Sequence, residues 1–76
     1  MPNLPVLNSN EVVRIFKKFG WFITRRKGSH IIMTKEDHIA TLSIPDHDPV
    51  AKGTLRSLIR AAGLTPQEFL QARKKK

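Results

Sequence analysis

Cysteine is absent from this 76-residue chain, and its absence removes disulfides, thiolate zinc sites and cysteine nucleophiles from the chemistry available to it. The same absence suits a reducing cytoplasm, where the protein is expected to reside. No apolar run comes near the roughly 20 residues needed to cross a bilayer, so no membrane span is expected. The start, Met1-Pro2-Asn3-Leu4-Pro5, lacks the basic segment and apolar core of a signal peptide. Acidic residues are scarce, with six Asp and Glu against 14 Lys and Arg. They form no pair where a pocket is expected, which leaves two-carboxylate acid–base chemistry without its residues. Lys52-Gly53-Thr54 looks like the end of a phosphate-binding P-loop. The upstream glycine that such a loop requires is missing, and no strand leads directly in.

What is present is one small domain, near the lower size limit at which a single hydrophobic core suffices. The whole chain, 1–76, is read as that domain, with its core at about 9–70 and a basic tail at 73–76. The net charge of +8 is unevenly spread. Residues 1–35 carry a net +6, residues 36–51 a net −4, and residues 52–76 a net +6. Two basic blocks around an acidic one point to a polyanionic partner, most simply nucleic acid.

Pro2 and Pro5 keep the lead-in extended. Asn8 or Ser9 caps a first helix at about 9–19, with Glu11 in its first turn and Val12, Val13, Phe16 and Phe19 at helical spacing. β-branched and aromatic residues predict strands at about 21–26, 29–34 and 38–44. In the third strand, Ala40, Leu42 and Ile44 share one face. Pro45-Asp46-His47-Asp48-Pro49 is a loop. A second helix at about 52–62 buries Leu55, Leu58, Ile59 and Ala62 and lines up Lys52, Arg56 and Arg60 along another side. Thr65-Pro66-Gln67-Glu68 starts a third helix at about 66–73, docked through Phe69 and Leu70. The expected architecture is α+β, an antiparallel three-stranded meander with helices over one face.

Arg25-Arg26-Lys27-Gly28-Ser29-His30 joins the first two strands. With Lys27 and Gly28 as the turn, Arg26 faces Ser29 and Arg25 faces His30. Cations close to His30 favour its neutral imidazole, the form that accepts a proton. Ser29 and His30 are not a hydrolase dyad, because neighbouring strand residues point to opposite faces. Read from these six residues alone, the histidine is more simply an exposed strand residue beside a basic turn. Three cations at Lys52, Arg56 and Arg60 would track phosphates, or simply face solvent. Asp46-His47-Asp48 with His38 offers mixed nitrogen and oxygen donors, but adjacent loop residues point apart, so no metal and no cofactor is expected.

The chain resembles the HicA-type (YcfA-like) toxins, small mRNA interferases of type II toxin–antitoxin pairs. Gly20-Trp21, Arg25, Gly28-Ser29-His30, Pro45 with His47, and above all Gly53-Thr54-Leu55-Arg56-Ser57-Leu58-Ile59-Arg60-Ala61-Ala62-Gly63-Leu64 carry the resemblance, in that order, over about residues 9–70. It implies a double-stranded-RNA-binding-domain-like fold, metal-independent endoribonuclease activity on mRNA, and neutralisation by a HicB-like antitoxin. The catalytic histidine of the family falls on His30. RNA contacts are then expected from Arg25, Arg26, Lys27, Ser29, Lys52, Arg56 and Arg60. Two departures stand out: Ile32-Met33 lacks the aromatic residue often found there, and the turn between the second and third strands reads as short. The competing reading is a non-catalytic RNA- or DNA-binding module with the same basic surface.

Overall fold

The computed structural model describes residues 4–74. Its elements follow in the order α1 (Ser9–Lys17), β1 (Phe22–Lys27), β2 (His30–Thr34), β3 (Leu42–Pro45), α2 (Lys52–Ala61) and α3 (Pro66–Lys74). The strands form one antiparallel sheet in the order β1-β2-β3, the α+β meander the sequence predicts. Lys75 and Lys76 of the expected tail, and Pro2 of the lead-in, lie outside the described residues.

Local chemistry sets the helix ends. Asn8 is the N-cap of α1: its Oδ1 accepts from the Glu11 amide at 2.9 Å, and the Glu11 carboxylate accepts from the Asn8 amide at 3.3 Å. Thr65 and Glu68 make the same reciprocal pair at 3.1 and 3.0 Å and start α3. Past the Ala62 C-cap of α2, Gly63 takes φ +76°, which lets the chain reverse without a Cβ penalty. The first helix ends at Lys17, two residues earlier than its apolar spacing predicts, because Lys18, Phe19 and Gly20 bond back to Ile15, Phe16 and Lys17 as a turn.

The helices cover one face of the sheet. Ile31 and Met33 of β2 and Leu42 and Ile44 of β3 meet Val12, Phe16, Leu55 and Ile59 in a common core. Both α1 and α2 pack against β3, and α3 packs against both helices. Phe69 of α3 is fully buried with its ring 5.1 Å from Phe16. The expected stripe of Leu55, Leu58, Ile59 and Ala62 is buried as a set. The lead-in contributes more than its prolines suggest. Leu4 and Leu7 are buried, and Leu7 pairs with Val50 through a 2.8 Å backbone hydrogen bond.

Two features differ from expectation. The third strand begins at Leu42 rather than His38. Asp37 at φ +62° and a His38 N–H to Lys35 carbonyl bond close a turn, and the His38 Nδ1 then accepts from the Ala40 amide at 3.2 Å. His38 is thus spent on local geometry, with its ring 4.9 Å from that of buried Trp21. The connection from β2 to β3 is correspondingly longer than the short turn expected, and it leaves Ile39 fully exposed.

The second difference is the hairpin register. Lys27, not Arg25, stands opposite His30, and the turn residues are Gly28 and Ser29. Gly28 has φ +57°, so the glycine sits at the first central position, as in a II′ hairpin, and not at the second. Further along, Ile23 pairs with Met33 and Arg25 with Ile32, leaving Thr24 as a one-residue bulge in β1.

Candidate active site on the open sheet face

Directly paired residues of an antiparallel ladder share a face, and successive residues alternate. Since Ile31 and Met33 point into the core, His30, Ile32 and Thr34 point the other way, onto the face that the helices leave bare. The ladder then sorts this face into rows. His30 lies between Lys27 and Pro45, Ile32 between Arg25 and Ser43, and Thr34 beside Phe22. Thr24, in the bulge, joins the same face through a hydroxyl hydrogen bond to Thr34.

His30 is exposed on the central strand, with the ammonium-bearing Lys27 directly across the ladder. Arg25 is its diagonal neighbour, within reach of a long side chain. The strands contain no Asp or Glu, so the charge on this face is of one sign. Such a face can hold a phosphate next to an imidazole free to exchange a proton.

Arg26 goes elsewhere. It pairs with Ile31 on the helix-facing side, and its Nη1 lies 2.9 Å from Asp46 Oδ2. Asp46 also accepts from the Ser9 hydroxyl at 3.3 Å, and Asp48 accepts from the Ser9 amide at 2.8 Å. The acidic loop therefore clamps onto the start of α1, where carboxylates meet unpaired N–H groups and the positive end of the helix dipole. Its two aspartates are accounted for by these contacts. Ser29 is exposed in the turn, and its carbonyl accepts from the Asp46 amide at 2.7 Å, tying hairpin to loop. His47 is exposed on that loop, just beyond the Pro45 that pairs with His30.

Lys52, Arg56 and Arg60 are exposed on α2, as their spacing predicts. Because α2 packs beneath the opposite face of the sheet, the structure does not bring this ridge onto the face of His30. Alternation along β2 places Ile32 beside His30 on this face, whereas Phe22 joins it only through the bulge in β1, which no alternation rule anticipates.

Comparison with known proteins identifies the family and the fold. The family model described as the HicA toxin of bacterial toxin–antitoxin systems matches residues 9–64. A chain in a solved structure described as a toxin–antitoxin complex from Streptococcus pneumoniae is 34% identical, with a TM-score of 0.67, covering 76% of this chain and 98% of that one. No curated protein matches. With a family match spanning most of its length and a solved relative of the same fold, the chain belongs to the HicA toxin family of bacterial toxin–antitoxin systems.

Proposed function

We propose that this protein is a metal-independent endoribonuclease that cleaves mRNA in the cytoplasm, with His30 as its proton-transfer residue. The observation that carries the proposal is the placement of His30, exposed on the central strand between Lys27 and Pro45 on a face without carboxylates. RNA brings its own nucleophile, the 2′-hydroxyl, so the protein has to supply a base, charge stabilisation and in-line geometry. His30 takes the 2′-OH proton as that oxygen attacks the adjacent phosphorus. The P–O5′ bond breaks, giving a cyclic phosphate and a 5′-oxygen that must be protonated. Lys27 and Arg25 stabilise the charge growing on the phosphate. Arg26, already on Asp46, is left to hold the loop. His47 is the nearest unassigned group along the chain for protonating the leaving oxygen.

The deciding experiment is cleavage of a single-stranded RNA by purified protein in the presence of a chelator. Products ending in a cyclic phosphate support the proposal. Binding without cleavage would instead favour a non-catalytic nucleic-acid module.

RNA binding should be chiefly electrostatic, carried by Arg25 and Lys27 on the open face, with Ser29 beside them in the turn, and by the α2 ridge for a strand long enough to pass round the domain. Each phosphate contact contributes about 0.7 to the slope of log K against log salt for a single strand. The triple variant Lys52, Arg56 and Arg60→Ala should therefore lower that slope by up to about 2. An unchanged slope would remove α2 from the binding surface.

The partner we propose is a HicB-like antitoxin whose acidic or amphipathic surface covers the His30 face, because blocking substrate is the simplest inhibition and the charge is complementary. Hydrogen exchange on the complex should protect β1 and β2. Protection confined to α1 and the C-terminal residues would point to an indirect mode of inhibition.

A further inference from the structure

The open face carries one feature that the proton chemistry does not use. Phe22 is 51% exposed there, whereas Phe16, Phe69 and Trp21 are buried and Phe19 is partly buried. It is the one exposed Phe or Trp among the described residues. The bulge at Thr24 is what puts it outside. With uninterrupted alternation from Lys27, Phe22 would fall on the helix-facing side, but the extra residue gives that side to Ile23, opposite Met33.

We propose that Phe22 is a base-stacking subsite, which makes the substrate an unpaired RNA strand laid across the sheet. The inference rests on the endoribonuclease reading above and adds a binding residue to it. Three rows run in order across the face: Phe22 with Thr34, then Arg25 with Ile32, then Lys27 with His30. Aromatic, guanidinium and imidazole rows are what a single strand requires of a protein, namely a surface for a base, a cation for a phosphate and a group for the reaction. From His30 to Thr34 along β2 is about 13 Å at ~3.3 Å per residue. A strand with its scissile phosphate at His30 therefore carries a near neighbour's base over Phe22. A duplex cannot do this, because its bases are already stacked and paired. The absence of Asp and Glu from all three strands makes a polyanion the complementary occupant.

The test uses the full chain and an uncleavable single-stranded 2′-O-methyl oligoribonucleotide, alone and annealed into a duplex. Phe22→Ala should weaken binding to the single strand by about 5- to 150-fold, the usual worth of one stacked base. The salt slope should not change, because no phosphate contact is lost. Phe22→Trp should bind like the native protein, and Phe22→Leu, which keeps apolar bulk without a π-face, should bind like the alanine variant. Affinity for the duplex should be the same for all four proteins. Unchanged single-strand affinity in Phe22→Ala overturns the inference, and a loss confined to antitoxin binding would make Phe22 a protein contact instead. Equal loss on duplex and single strand overturns it as well. A native protein that binds the strand but never cleaves unmodified RNA would defeat the catalytic reading while leaving the stacking result to stand.

Discussion

Replacing His30 by alanine should slow RNA cleavage by about 10² to 10⁴-fold, the usual contribution of a positioned proton-transfer group. Stability should hardly change. The side chain is exposed on the open face, so its removal leaves no cavity, and the cost should stay within roughly 0.5 kcal/mol. Affinity for RNA should survive, because Lys27 and Arg25 remain on the same face. A structural histidine predicts the opposite order, with the melting temperature falling first and activity lost only in proportion to unfolding. Thermal unfolding, RNA affinity and cleavage rate measured on one preparation separate the two. A variant that folds, binds and cleaves at the native rate would end the mechanism.

The largest stability effect is expected at Phe69, which lies beyond the residues matched by the family model. Its ring is fully buried against Phe16, and the Lys18 ammonium donates to the Ala72 carbonyl at 2.8 Å, so α3 is bound to α1 from two sides. Phe69→Ala should cost about 3–5 kcal/mol. A domain of this length has roughly 4–11 kcal/mol in total, so at least about a quarter of the stability would go, and nearly all of it at the lower end of that range. The melting temperature should fall by more than about 10 °C. A drop of only a few degrees would mean that α3 is an appendage to a core completed by α1, α2 and the sheet.

Most of the architecture is legible in the sequence, for reasons that particular residues make plain. Helix starts are written in side chains that bond their own backbone, and both capping boxes, Asn8 with Glu11 and Thr65 with Glu68, form as spaced. The buried stripe of α2 follows from helical period alone. Register was harder to read. A single glycine between two strands is compatible with either central turn position, and choosing Lys27-Gly28 over Gly28-Ser29 changes which cation faces His30. The failed half of the third strand has another cause: its alternation is real at Leu42 and Ile44, but the turn at Asp37 and the contact of His38 with Trp21 claim the residues before them. The acidic loop looked like a separate block of charge. Only the fold shows that Asp46 and Asp48 are bonded to Ser9 and that Asp46 also pairs with Arg26. His30 is exposed on the second strand, as the strand pattern of the sequence leads one to expect.

Thr24 has a consequence for how such a domain changes over evolutionary time. The bulge sets the phase of everything before it in β1 by its presence, whatever side chain it carries. Point substitutions at this position should leave Phe22 on the open face and Ile23 on the side of Met33. Loss of the single codon would exchange them, turning the aromatic ring toward the helices and bringing an isoleucine onto the open face. Gain or loss of one residue, rather than replacement of a side chain, is thus the step that would move an aromatic ring onto or off this face of an otherwise unaltered sheet.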